Sequence, residues 1–435
     1  MERRDLTVKL FSMDRRLMEN FSWPLVLSAL ALSAIGLLNL YSVSLSSGNA
    51  ASLSEFSKQL AFFLFALSAA FASLFFDYGI LKKFALPLYV LGIALLLFVK
   101  HFGVTAGGAT RWLDFGAFRV QPSELMKPIL VVLLAAHFSR KEYAGKNGMT
   151  LSTFLLPAAF VLLPFYLILK QPDLGTAGLL GLTAFPIFVA IRSSRGLKIA
   201  IAAATAVILA WTFLFGGLGW LVKKKIVRGY QLERVFNHSN PEDDFNGKGW
   251  QIIQSKRAIG SGQILGRGFH DGTQQKYGFL PAPDTDFAFA ALAEEWGFAG
   301  AMTVLALFYV LIRSGLSVVR RSKDNFGKCL VLGLTSLLFW QMLINVAMVT
   351  GIFPVVGIPL PFVSYGGSSL SVSVLCVATI LNAGMRRYRF QDDPVRENPE
   401  VWEERTVIRL REKTPLVRRI GPHDPGEPDI HPVYR

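Results

Sequence analysis

Apolar residues in this chain come in long blocks split by polar interruptions, and block length separates a membrane-crossing helix from a buried core helix. Ten blocks of about 17–25 apolar residues lie at roughly 23–43, 56–76, 79–100, 122–138, 152–169, 174–191, 197–215, 287–312, 328–350 and 363–385, the fourth and sixth being short. They predict an all-α polytopic membrane protein with about ten transmembrane helices over 23–385, flanked by a tail at 1–22 and a charged, Pro-rich, disordered tail at 386–435. One long polar interruption, about 216–285, predicts a large extracytoplasmic loop between helices seven and eight. The first block follows a mixed-charge tail with no small-residue cleavage site after it, so it reads as a retained span.

Charge sets the orientation. With the N-terminus inside, the internal tail and short loops hold 18 Lys and Arg and the short external loops hold 5. That bias places both termini in the cytoplasm. Much of the net charge of +15 is then topology, and the basic residues after Met385 suit an anionic inner leaflet, so no nucleic-acid partner is needed. Cys329 and Cys376 lie at the inner end of span nine and within span ten, outside any oxidising aqueous loop, and imply no disulfide framework. The six His residues are dispersed without zinc-like spacing, while a loosely held divalent ion such as magnesium stays open.

Candidate chemistry concentrates where the long loop meets span eight, at Tyr277-Gly-Phe-Leu-Pro-Ala-Pro-Asp-Thr-Asp-Phe287. Pro281 and Pro283 hold off helix until about Asp284, and Asp284 or Asp286 is expected to cap the new helix. A second acid within two residues exceeds what a cap needs, which marks a catalytic or ion-binding candidate. Glu294 and Glu295 follow at about 12–14 Å of helix rise, read as lying below Asp286, with at least one pairing inside the bundle.

Other polar residues sit at or near membrane depth. Glu124 and Lys127 share a helical face, which fits a neutralising ion pair and a functional role equally. Between spans three and four runs a Gly-rich external loop carrying Arg111, and Lys170–Ala177 is a tight turn in which Asp173 can be a simple turn residue. Trp250–Gly262 reads as a short helix closed by glycine, carrying Ser255, Lys256 and Arg257. Gln341 and Asn345 fit interhelical hydrogen bonding. Gly351–Ser369 has no charge, several prolines and helix-breaking glycines; irregular backbone at that depth survives only buried or lining a cavity.

In order, Arg111-Trp-Leu113, Gln121-Pro-Ser-Glu124 with Lys127, Gln171-Pro-Asp-Leu-Gly175, and Tyr230-Gln231 with Arg234 form the first half of a recognisable set. Gln254-Ser255 with Ala258–Gly262, Thr285-Asp-Phe287, Asn345 and Pro359–Ser369 complete it. Together they resemble the SEDS family, bacterial glycosyltransferases that polymerise lipid II into peptidoglycan, over nearly the whole chain apart from its tails. Gly272-Thr-Gln274 ahead of Phe279-Leu-Pro281 looks more like the elongation branch than the division branch. One departure is central: the family usually reads Leu-Pro-Glu-x-His-Thr-Asp-Phe, and Ala282 and Asp284 stand here for its Glu and His.

The resemblance implies an inverting transfer in which a sugar hydroxyl attacks an anomeric carbon and undecaprenyl diphosphate leaves, in service of elongation and cell shape. Asp286 is then the expected catalytic base, with desolvation needed to raise a carboxyl from about 3.9. Arg111, Lys127, Arg234 and Lys256 or Arg257 are candidates for the diphosphate, with Glu124, Ser255, Ser364, Tyr365, Gly366 and Gly367 as further substrate-contacting positions. Expected partners are lipid II, the growing glycan strand, a class B penicillin-binding protein and other elongation-complex proteins. Two rivals remain: a lipid II flippase, and a non-catalytic scaffold for a partner synthase.

Overall fold

The computed structural model describes residues 20–46, 50–106, 109–116, 119–140, 151–190, 248–322 and 324–386. The seventh predicted span, the first part of the long loop with Arg234, and most of both tails lie outside these residues. The remaining predicted blocks are helical: α1 (Trp23–Ser46), α2 (Ala50–Phe75), α3 (Gly79–Phe102), α4 (Pro122–Phe138), α5 (Leu151–Lys170) and α6 (Leu174–Ala190). After α7 (Lys248–Ser261) and the one-turn α8 (Thr273–Lys276) come α9 (Ala288–Arg321), α10 (Asn325–Val349) and α11 (Gly367–Met385). By length and composition six of these, α1, α2, α3, α9, α10 and α11, can cross a membrane, while α6 and the apolar part of α5 are shorter.

Burial explains why α4 is short and still charged. It starts on Pro122, whose missing N–H costs nothing in a first turn, and nearly every side chain after it is buried against α3, α6 and α10. A helix enclosed by protein need not be lipid-compatible around its circumference. α11 packs along α2, and α9 lies between α1 and α10. Alternation of the spans gathers Ser46, Phe102, Pro122, Lys170, Val349 and Gly367 at one end of the bundle, called here the site end.

Two sequence expectations are corrected. The Gly-rich stretch after α3 is a three-stranded antiparallel sheet rather than a loop: β1 (Val104–Ala106), β2 (Ala109–Asp114) and β3 (Arg119–Val120), in that order. Trp112 pairs with Val104 and Leu113 with Val120, so β-branched and aromatic residues outweigh the glycines around them. Asp114 closes the second hairpin by accepting from Gly116 N–H at 2.8 Å and Arg119 Nε at 2.9 Å.

The eighth span is not one straight helix either. α9 breaks at Gly297, whose φ of 67° and ψ of −166° belong to a region open essentially to glycine alone. The chain from 263 to 268 fills the break. In an unbroken helix Glu294 C=O would accept from Phe298 and Glu295 C=O from Ala299. Instead Arg267 and Gly268 donate to Glu294 O and Glu295 O, each at 3.0 Å, and Phe298 and Ala299 donate to Gln263 O at 2.8 Å and Ile264 O at 3.0 Å. These four main-chain groups therefore keep hydrogen bonds across the break. A side chain on Gly266 or Gly297 would collide with backbone across the joint. Before the break α9 is almost wholly buried; after it Phe298, Met302 and Tyr309 are exposed, as a lipid-facing span requires.

Candidate active site

The Asp286 turn is built from main chain before any side chain takes part. Ala282 C=O accepts from Thr285 N–H at 3.3 Å and from Phe287 N–H at 3.2 Å, folding 282–287 into a compact turn with Ala282 at φ 44°. The helix cap consequently falls on Phe287, which makes no side-chain capping bond, and not on an acid as the sequence suggested. Burial pushes the Asp284 carboxyl above its ordinary value, against the pull of its own and Thr285 N–H groups.

The segment 351–366 closes over this turn. Ser364 Oγ donates to Thr285 O at 2.6 Å while accepting from Leu360 N–H at 2.9 Å, and Tyr365 N–H donates to Asp284 O at 2.8 Å. Asn345 Nδ2 bridges the two pieces, donating to Asp286 O at 3.0 Å and Ile358 O at 2.8 Å. A side chain at Gly357 would reach 3.4 Å from Asp286 Oδ2, so glycine keeps the carboxylate clear on that side. Asp286 itself is partly exposed. The uncharged, Pro-rich segment is thus one wall of the site, as irregular backbone at depth demands.

Of the predicted contacts, Ser364 and Tyr365 meet the turn that carries Asp286, at Thr285 O and Asp284 O. Gly366 N–H donates to Gln59 Oε1 at 3.1 Å, and Gly367 opens α11 against the Phe62 ring. Gln59, which also donates to Ser364 O at 3.3 Å, went unnoticed in the sequence. In sequence Gln59 stands beside Ser57 and Lys58 in the polar first turn of its block, and only the structure shows that it is buried.

The cations are distributed differently from expectation. Arg111 is spent on protein: it donates to Gln171 O at 3.2 Å and to Pro172 O, and pairs with Asp173 at 3.5 Å. Asp173 in turn accepts from Thr176 N–H at 3.2 Å and Thr176 Oγ1 at 2.9 Å at the start of α6, so it is more than a turn residue. Lys127, 1% exposed, forms a 2.7 Å ion pair with Glu124 within α4. Ser255 is buried and donates to Val349 O at 2.7 Å, which docks α7 on α10. Lys256 and Arg257 on the same helix are exposed, Lys256 lying over Gly351 and Arg257 facing the Trp250 ring at 6.0 Å.

Glu294 and Glu295 also differ from the sequence reading. Along α1, Asn39 donates to Ala288 O at 3.2 Å and Ser42 to Glu295, so the first half of α9 leans toward the Ser46 end and the glutamates do not lie below Asp286. Both are buried, and both hold the loop that leads to Asp286. Among the described residues no three His, Cys, Asp or Glu side chains gather closely enough to form a metal site.

These features define a multi-pass membrane protein with a partly exposed carboxylate held between a re-entrant segment and a broken helix. The family model FTSW_RODA_SPOVE, described as cell cycle protein, matches residues 23–389, and the chain belongs to that family. It is 42% identical over 287 residues to the peptidoglycan glycosyltransferase MrdB of Escherichia coli strain K12, covering 66% of this chain and 73% of that protein. A solved peptidoglycan synthase complex, described as coordinating polymerization and crosslinking, contains a chain similar at TM-score 0.68 and 27% identity, covering 85% of this chain and 99% of that one. The rod shape determining protein RodA of Thermus thermophilus is similar at TM-score 0.60 and 26% identity, covering 85% and 98%.

Proposed function

We propose that this chain is a peptidoglycan glycosyltransferase that polymerises lipid II into glycan strands during elongation, with Asp286 as its base. The observation that carries this reading is the Asp286 turn: a partly exposed carboxylate whose main chain is fixed by Asn345 and whose neighbour Thr285 is fixed by Ser364. Preorganisation of this kind matters because a displaced base loses rate steeply. In the reaction, the acceptor hydroxyl oxygen forms a bond to the anomeric carbon of the lipid-linked glycan. The bond from that carbon to the diphosphate oxygen breaks with its electron pair, inverting the centre. The hydroxyl proton passes to the Asp286 carboxylate. A diphosphate leaves without needing a proton and calls for positive charge instead. Of the cations expected from the sequence, Lys256 and Arg257 are exposed on α7 and open to that role, whereas Arg111 and Lys127 are engaged with protein.

The membrane spans supply an apolar setting for the lipid carrier, and the basic bias of the opposite loops favours an outward-facing site end with cytoplasmic termini in the inner membrane. Similarity to a chain of a synthase complex favours a crosslinking partner of the class B penicillin-binding type and other elongation proteins. Asp286→Asn in the purified full-length protein tests the base. It should fold as the parent does and lose about 10²–10⁴-fold in lipid II polymerisation. A near-parental rate overturns the assignment, and headgroup translocation in vesicles without polymer would favour a flippase.

A further inference from the structure

Two adjacent carboxylates in the buried half of α9 stand outside the chemistry just described. Glu294 and Glu295 are 0% and 1% exposed, and burying like charges side by side is costly unless each is fully engaged. What they engage is the approach to Asp286. Glu294 accepts from Thr273 Oγ1 at 2.9 Å, from Gln274 N–H at 3.0 and 3.2 Å through its two oxygens, and from Ser261 Oγ at 3.3 Å. Arg267 Nε stands 4.0 Å from its Oε1, with its own side chain 41% exposed.

From Gln274 the constraint passes along the main chain. Its carbonyl accepts both Phe279 and Leu280 N–H groups at 2.9 Å, pinning the arm that runs into Pro281 and Ala282. Leu280 is 2% exposed and anchors that arm in the core. Ala282 C=O then closes the turn on Thr285 and Phe287, on either side of Asp286. The two prolines leave the arm few N–H groups of its own, so it depends on this external hold. The other side of the turn is fixed by Asn345 and Ser364. Glu294 thus holds the arm that enters the turn, and Asn345 and Ser364 hold the turn itself.

We propose that Glu294 is a positioning residue for Asp286, acting through Gln274 and the Leu280–Ala282 arm; this rests on the reading of Asp286 as the base. Glu294 touches no substrate. Its loss leaves the base chemically intact and lets it wander. The kinetic signature is a fall in kcat with little change in KM, because ground-state binding does not use the base.

The test compares Glu294→Gln, Thr273→Val, their double variant and Asp286→Asn as full-length proteins polymerising lipid II. Glu294→Gln should lower kcat about 10–100-fold with KM within about twofold. Amide exchange should accelerate over 279–287 while α10 keeps its protection. Thr273→Val removes one donor and should lower kcat about threefold. The double variant should lower kcat by less than the product of the two single effects, since both weaken the same anchor on the 273–274 turn. A kcat within about twofold of the parent in Glu294→Gln, with Asp286→Asn inactive, overturns the inference and leaves the base standing. Loss of kcat only in proportion to lost folded protein also overturns it. If Glu294→Gln does not fold, an unchanged kcat in Thr273→Val decides against the proposal. An active Asp286→Asn sinks the underlying reading instead.

Discussion

Two regions bury charge near the site end, and they solve the problem in opposite ways. In α4, Glu124 and Lys127 sit three residues apart and neutralise each other on one helical face, 4% and 1% exposed. In α9, Glu294 and Glu295 have no cation beside them in sequence and draw on residues about 20 to 250 positions away: Thr273, Gln274 and Gln275 from the loop and Ser42 from α1. The first arrangement is a local device that lets a helix be buried. The second is a fastening, because its partners are the elements it holds together. Charge buried with a local partner stabilises one helix, whereas charge buried with distant partners specifies how several segments meet.

The largest effect expected from breaking this contrast is in α4. Lys127→Ala leaves the Glu124 carboxylate buried without its cation and should cost about 3–5 kcal/mol in thermal unfolding. Replacing both members, Glu124→Gln with Lys127→Met, should restore most of that loss, since a buried pair and an uncharged isostere often come out nearly even. If the double variant stays as damaged as the single one, the pair does more than neutralise. In α9, Ser42→Ala removes one donor from Glu295 and should cost about 1.5–3 kcal/mol, read by the same unfolding together with exchange of the 270–276 amides. A loss confined to α1 would show that the fastening is weaker than its hydrogen bonds suggest.

The smallest effect is the sharpest in sign. Burial holds the Asp284 carboxyl above its ordinary 3.8, so the folded protein keeps that proton more tightly than the unfolded chain. The stabilisation is fully present below the ordinary value and is lost as pH rises through the folded-state value. Asp284→Asn should therefore flatten the decline of melting temperature with rising pH in that window and leave the acid end unchanged. An unaltered profile would mean that Asp284 titrates as it does in the unfolded chain.

Much of the architecture was legible from one dimension. Block lengths gave the helices, because membrane thickness fixes how many apolar residues a span needs, and the three-residue spacing of Glu124 and Lys127 gave their pairing, because helical geometry is periodic. Pro281 and Pro283 announced an irregular approach to Asp286, since proline removes a donor wherever it sits. What sequence could not yield were contacts with no fixed spacing. The 263–268 segment replacing the hydrogen bonds of a helix broken at Gly297, the Gln59 amide reaching Ser364 and Gly366, and the diversion of Arg111 to the α5–α6 turn all join residues far apart along the chain. The sequence determined which groups had to leave water; only the packed structure decided which partners received them, because a buried polar group binds whatever the fold brings within about 3 Å.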